Sequence, residues 1–376
     1  MTGDRHTEHP SQPHEHGHSL YEAGEFLDAP PGEVIPEREV SLRDRVINWR
    51  TLGSLVFAVV LLYLLFQFFF GDEGFDFALM WQHILGANLW FLLLALVAYY
   101  LTFPLRGYRW AFILGRVGQP VRFADATEIL FLSWFVNCLV PAKLGDLYRA
   151  WLLKGNYGAS ISRSVGTIFI ERIADIIVIF GLALAAGFWS FRGRSRPEID
   201  AIFLVGFAAA AVLLIGIVLL RYLGGRLTKW LPARIADFYE RFHEGSTRAL
   251  TVRSVPVIFF LTGVIWLLEG LRLYFVIRAL DLPGVDLGIS SAVFVALAAS
   301  LLTAIPLTPA GVGFVEAGIV GALSLYGVVR EPAVAVALTD RTISILTVIV
   351  LGGIVYAFSR KVRRAHGMGM AAPETG

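Results

Sequence analysis

Cysteine and charge are both scarce in this sequence. One cysteine, Cys138, in 376 residues leaves no intrachain disulfide framework and no thiolate metal cluster. Charged residues make up 16% of the chain, against roughly 25% in an ordinary soluble protein. That deficit points to lipid as the solvent. A net charge of +2 is too small to argue for a nucleic-acid partner, and none is expected. No short apolar stretch with a small-residue cleavage site precedes Trp49, so no secretory signal peptide is expected. The nucleotide-binding pattern Gly-x-x-x-x-Gly-Lys-Ser/Thr is missing, as are an Asp-rich motif and a Ser-His-Asp set, and His83 and His243 stand alone. No catalytic residue, metal or cofactor is expected, and the chain is not read as an enzyme.

What the chain does have is apolar residues, 56% of the total, in uninterrupted blocks. The blocks fall at about 51–70, 86–104, 126–141, 164–189, 201–220, 254–279, 289–306, 311–329 and 333–358. A membrane span needs about 20 such residues, and no alternating barrel pattern is present, so the blocks are expected as helices. Residues 1–45 hold five of the eight histidines, among them His6, His9 and His14, with prolines and acids, and are expected to form a disordered cytoplasmic tail. No second ligand cluster supports a metal site there. The expected membrane domain is 46–360, followed by a basic cytoplasmic tail at 361–376.

Lys and Arg near the spans mark the cytoplasmic side. Arg43, Arg45 and Arg50 place the N terminus inside, and Arg360, Lys361, Arg363 and Arg364 place the C terminus there too. Arg106, Arg109, Arg116 and Arg122 precede the short block 126–141, and Lys143, Arg149, Lys154 and Arg163 follow it. Both of its flanks are therefore expected on one side, which makes it re-entrant. Arg192, Arg194 and Arg196 fall on the outer side in this scheme, and nothing in the sequence accounts for them. The linker at about 221–253 carries Leu227, Leu231, Ile235, Phe238 and Phe242 at helical spacing. It describes an amphipathic helix lying in the interface or packed on the protein's own cytoplasmic face. Trp81, Trp90, Trp110, Trp151 and Trp189 are read as an aromatic belt.

Three patterns occur twice in the same order. Gly107-Tyr108-Arg109 returns as Gly270-Leu271-Arg272, Pro141-Ala142-Lys143-Leu144-Gly145 as Pro309-Ala310-Gly311-Val312-Gly313, and Glu171-Arg172 as Asp340-Arg341. From Pro141 to Arg172 is 31 residues and from Pro309 to Arg341 is 32. Repeat 1 spans about 86–189 and repeat 2 about 254–358. The first starts from a span running inward and the second from one running outward, so the copies are expected to be inverted, as in secondary transporters. The expected fold is an all-α polytopic membrane bundle with two broken hairpins: six full spans plus two hairpins, or about eight spans if 289–329 crosses twice. Pro141, Gly145, Pro309, Gly311 and Gly313 are the expected helix breaks, where freed backbone groups need protein or water.

Charges in apolar helices are costly unless they pair or face water. Glu171, Asp175, Glu269, Glu316 and Asp340 are the expected charge network, with Glu171, Asp175, Glu269 and Glu316 as candidates for proton coupling. Arg109, Asn137, Lys143, Asp146, Arg149, Arg172, Arg272 and Arg341 are the candidate substrate contacts, because guanidinium groups bind phosphate bidentately. The competing reading is a set of structural ion pairs in which Glu171 or Asp175 meets an arginine of the opposite copy.

Phe135-Val136-Asn137 through Pro141, Gly145, Asp146 and Arg149, then Glu171, Arg172 and Asp175, and Pro306 through Gly313 to Glu316, resemble the lysylphosphatidylglycerol synthase transmembrane region family. That family includes the flippase-like domain of the multiple peptide resistance factor. The likeness covers about 50–360, with one departure: Asp146 stands where the family usually has Glu. The resemblance implies a domain of the bacterial cell membrane that moves an aminoacylated or otherwise modified phospholipid, or a polyprenyl-linked lipid, between leaflets. It does not imply synthesis, because the aminoacyl-transfer chemistry of two-part relatives belongs to a soluble C-terminal domain. The alternatives are a membrane enzyme acting on a lipid phosphate or lipid-linked sugar, and an accessory to a separately encoded synthase; homo-oligomers fit either reading.

Overall fold

The computed structural model describes residues 75–192, 251, 253–282, 287–302 and 308–370, with single helical positions at Gln67, Leu204 and Ile215. The 1–45 tail, the blocks at 51–70 and 201–220, most of the 221–253 linker, and Arg194 and Arg196 lie outside the described residues. Among those described, every regular element is helical, and the protein is an all-α membrane protein. The elements are α1 (Phe77–Leu85), α2 (Leu89–Arg116), α3 (Phe123–Leu139), α4 (Leu144–Tyr157), α5 (Ile161–Ser190), α6 (Val255–Leu280) and α7 (Ile289–Leu301). After a 3-10 turn at Pro309–Gly311 come α8 (Phe314–Ser324), α9 (Arg330–Arg341), a π turn at Thr342–Leu346, α10 (Thr347–Phe358) and α11 (Arg360–Met370). The α2 and α6 helices, and α9 continued through the π turn into α10, are long and apolar enough to cross a membrane.

Local chemistry sets the helix starts. Asn88 Oδ1 accepts from Trp90 N at 2.9 Å at the head of α2, and Ser160 Oγ accepts from Arg163 N at 3.4 Å at the head of α5. Both supply an acceptor to an orphan donor of the first turn. The α2 helix runs on past the expected end at 104, through Pro104 to Arg116. α2 and α6 pack antiparallel: Asn88 N, at the start of α2, donates to Ala279 O at the end of α6 at 2.7 Å.

Two hairpins flank this pair. In the first, Tyr157 at the end of α4 donates to Asp125 in the first turn of α3, while near the tip Ser133 Oγ donates to Gly145 O at 2.7 Å. In the second, the ring of Tyr326, just past α8, meets Phe294 near the start of α7 at 6.4 Å, while Gly318 packs on Ala299. With 17 and 14 residues in the first hairpin and 13 and 11 in the second, each helix is about 16–26 Å long, short of a bilayer core of about 30 Å. The described helices of 289–329 thus have hairpin proportions, not those of two full crossings. α5 has 30 residues, about 45 Å. It begins where the first hairpin opens, and its last residue, Ser190, meets the opening of the second: Ser190 and Ser291 hydroxyls are 2.6 Å apart, and Tyr326 OH donates to Ser190 at 2.9 Å. The two hairpins therefore open at opposite ends of α5.

Candidate lipid-headgroup cavity

Both breaks begin with two residues at positive φ, and in the second the extended Val312 and Gly313, with φ of 89°, follow before α8 starts. Ala142 and Lys143 have φ of 61° and 53°, and Ala310 and Gly311 have φ of 50° and 70°. Two consecutive left-handed residues after each proline turn the chain; three of the four carry a Cβ and are strained by it. The first tip is held by Asn137 Oδ1, which accepts from Gly145 N at 2.8 Å. The second is held by Glu316 Oε2, which accepts from Gly313 N at 2.6 Å.

The duplicated charges make the same pairs in each copy. The first acid of each acid-Arg pair meets the arginine of its own Gly-x-Arg: Glu171 and Arg109 at 3.3 Å, Asp340 and Arg272 at 2.9 Å. The following arginine meets the acid just past its own break: Arg172 and Asp146 at 2.7 Å, Arg341 and Glu316 at 2.9 Å. Arg109 also binds Asp175 at 2.7 Å, and Arg149 binds Glu171 at 2.8 Å. The expectation that Glu171 or Asp175 pairs with an arginine of the opposite copy is overturned, because α5 packs those acids against α2 and α4 of their own repeat. The pair that joins the copies is Arg106 with Glu269 at 2.8 Å. Each sits three residues before its copy's Gly-x-Arg arginine, so equivalent positions meet where α2 crosses α6. Arg109 adds a second link through Thr262 Oγ1 at 2.6 Å.

Arg106 and Arg109 are 3% and 2% exposed and Arg149 is 4%, so these three are not interfacial cations and cannot mark the cytoplasmic side; Arg106 instead lines the central cavity. Arg116, Arg122 and Lys154 are exposed and can. Trp110 is corrected as well. Fully buried, it lies under Arg149 at 5.0 Å and donates to Thr167 at 3.3 Å, whereas Trp81, Trp90 and Trp189 are exposed as a belt requires. Arg192 covers Trp189 at 5.3 Å, which gives that arginine a partner.

Between the two breaks lies a cavity of about 340 Å³. Of the expected contacts, Asn137, Lys143, Asp146, Arg172, Arg272 and Arg341 line it, with Asp175, Glu269 and Asp340. Arg109, Arg149 and Glu171 do not line it and instead line a separate recess of about 10 Å³. Glu316 does not line the cavity and works through Arg341. Lys143 makes no ion pair among the described residues, in contrast to every arginine around it. Ile176, Ile179, Leu273, Leu301, Val315 and Ile319 line the same cavity and give it apolar surface. The spacing argument missed Arg106 and three aromatic residues. Arg106 lies between Trp134 and Trp266 at 4.8 and 5.3 Å, Trp266 donates to Asp175 at 3.2 Å, and Tyr99 faces Arg272 at 5.1 Å. Tyr99 OH also donates to Ser344 O at 2.9 Å, inside the π turn. Only the position of Arg106 left a signal in the sequence: it matches Glu269 in the duplicated frame.

The profile of the Lysylphosphatidylglycerol synthase TM region family matches residues 51–352. The chain belongs to that family. Among its relatives, a UPF0104 membrane protein of Methanocaldococcus jannaschii is 35% identical over 227 residues, 59% of this chain and 93% of its own. A UPF0104 membrane protein of Methanothermobacter thermautotrophicus is 29% identical over 290 residues, 69% of this chain and 81% of its own. The glycosyltransferase AglD of Haloferax volcanii is 33% identical over 89 residues, 24% of this chain but 14% of that protein. As a member of the lysylphosphatidylglycerol synthase TM region family, the chain is a multi-pass membrane protein, and its two breaks and paired charges lie inside the matched region.

Proposed function

We propose that this protein moves the polar headgroup of a membrane lipid between leaflets, with the headgroup in the central cavity and the tails in the bilayer. One observation carries the reading: a cavity of about 340 Å³ reaches both helix breaks and is lined by cations, carboxylates and aliphatic side chains together. That volume lies at the small end of ligand sites, about 300–1,000 Å³. It suits a headgroup and not a whole lipid. Arg172, Arg341 and Lys143 suit a phosphate, and Asp175, Glu269 and Asp340 suit an amine, so a phospholipid carrying an amino group matches both. Hairpins that open at opposite ends of α5 support an inverted repeat, the arrangement that lets one site face each side in turn. With no nucleotide-binding loop in the sequence, movement runs down a lipid or ion gradient, and Asp175 and Glu269 are the acids best placed to couple to it.

The test is a reconstitution. Purified protein in liposomes is given tail-labelled phosphatidylglycerol, its lysyl ester, phosphatidylethanolamine or a polyprenyl-phosphate sugar. The last is included because one relative carries a glycosyltransferase name. Label on the inner leaflet should become accessible to a membrane-impermeant quencher in a protein-dependent way, and Arg172→Gln with Arg341→Gln should abolish the exchange. No movement of any lipid in the panel would overturn the proposal, and a change in lipid mass instead of leaflet would point to an enzyme.

A further inference from the structure

At the end of the molecule farthest from the second hairpin's opening, α10 hands over to α11. Val350, Leu351, Ile354 and Phe358 are 54%, 42%, 52% and 75% exposed, the strip of α10 that meets acyl chains. One residue later the chemistry reverses. Arg360, Arg363 and Arg364 are exposed on α11, while Val362 and Ala365 of the same helix are buried. Among the described residues no carboxylate lies within ion-pair distance of these three arginines. The acids of this end are already occupied: Lys361 Nζ binds Asp125 at 2.8 Å and also Glu128.

The buried face of α11 clamps the opening of the first hairpin. On the α4 side, Asn156 Nδ2 donates to Lys361 O at 3.1 Å, and the His366 ring stands on Trp151 at 5.0 Å. Gly155 lets the backbones close in, since a Cβ there would lie 2.7 Å from Ala365 Cβ. On the α3 side, Ser359 Oγ donates to Glu128 Oε1 at 2.6 Å, beside the Lys361 pairs. One short helix thus touches both limbs of the hairpin whose tip lines the cavity.

We propose that α11 is a docking surface for anionic phospholipid headgroups of the leaflet in which α10 ends, and that docking holds the first hairpin closed at its base. The lipid-facing strip of α10 fixes the depth. Residues directly beyond Phe358 lie at the headgroup layer, where each basic side chain strengthens attraction to anionic lipid about fivefold. A soluble acidic partner would have no such tie to a hydrocarbon-facing strip. The proposal stands whether or not the cavity transports lipid.

Hydrogen exchange of residues 360–366, read on the full chain in lipid nanodiscs, tests it. Adding phosphatidylglycerol to phosphatidylcholine discs should slow exchange, with roughly a fivefold contribution from each arginine, and high salt should remove the effect. The triple variant Arg360→Gln, Arg363→Gln, Arg364→Gln should keep wild-type unfolding in phosphatidylcholine and lose the response. Lys361→Gln should keep the response while the first turn of α3 exchanges faster. Equal exchange in both lipids, or a response kept by the triple variant, overturns the proposal. So does slowing that appears only when a soluble polyanion is added to phosphatidylcholine discs, which would assign the face to a nucleic acid or an acidic protein.

Discussion

The two halves of the molecule make the same pairs with different surroundings. In both, a Gly-x-Arg arginine meets the first acid of an acid-Arg pair, and the next arginine meets the acid past the break. In the first half this frame is reinforced: Arg149 adds to Glu171, Asp175 adds to Arg109, and Lys143 projects into the cavity. In the second half Glu316 serves both as backbone cap and as arginine partner, and Gly311 stands where the first half has a lysine. The duplicated frame is common to both halves, and the departures from it are where the halves differ.

The largest test of this comparison removes the equivalent arginines. Arg109→Ala and Arg272→Ala should each cost about 3–5 kcal/mol, because each strands buried carboxylates. Unfolding in detergent micelles reads both, and a loss confined to one half would break the symmetry. Next come the equivalent glycines. A Cβ on Gly107 would lie 2.7 Å from Thr127 Cα, whereas one on Gly270 would lie 2.6 Å from Val293 Cγ2 and 3.1 Å from its Cα. Gly107→Ala should therefore fall near the top of the overpacking range of about 1–3 kcal/mol and Gly270→Ala near the bottom, since a methyl can rotate away and a backbone atom cannot.

A smaller effect sharpens the contrast at the breaks. Lys143→Gly gives the first break the residue of the second and relieves a left-handed Cβ. It should stabilise the protein by about 0.5–1 kcal/mol, after allowing for glycine's freedom in the unfolded chain, and should slow lipid exchange in liposomes. Stability and transport moving in opposite directions would mark Lys143 as a functional departure from the frame.

The smallest effect concerns the base of the first hairpin. Burial pushes the Asp125 carboxyl up, but hydrogen bonds from Lys361 and Tyr157 outweigh it and hold it below the ordinary value. Burial pushes Lys361 down, but bonds to Asp125 and Glu128 outweigh that and raise it. A lowered acid stabilises above its unfolded pKa, about 3.9, and that contribution is lost as pH falls through the folded value; a raised lysine stabilises below about 10.4 and loses its contribution as pH climbs through the folded value. Protection of 360–366, meaning exchange relative to the intrinsic amide rate at each pH, should thus be highest between those limits and lower outside both.

The paired intervals could be read before the structure because spacing survives folding. Pro141 and Pro309, and Glu171-Arg172 and Asp340-Arg341, keep their intervals and land in equivalent places. Burial could not be read the same way. Arg106, Arg109 and Arg149 look like interfacial cations when counted along the chain, and only the packing of α2 against α5 and α6, and of α4 against α5, shows that each has a carboxylate waiting. Trp134 and Trp266, which enclose Arg106, come from helices more than a hundred residues apart, a distance at which no local pattern persists. α11 was legible as charge but not as a helix with a buried face, because Val362 and Ala365 mean little until α4 lies against them.

The meeting of Arg106 with Glu269 has a consequence for how such a protein can be assembled. A chain made of two copies of the first half would set guanidinium against guanidinium at its centre, and two copies of the second half would set carboxylate against carboxylate. Neither half can stand in for the other, so the centre of the molecule requires two unlike partners, which a single continuous polypeptide supplies.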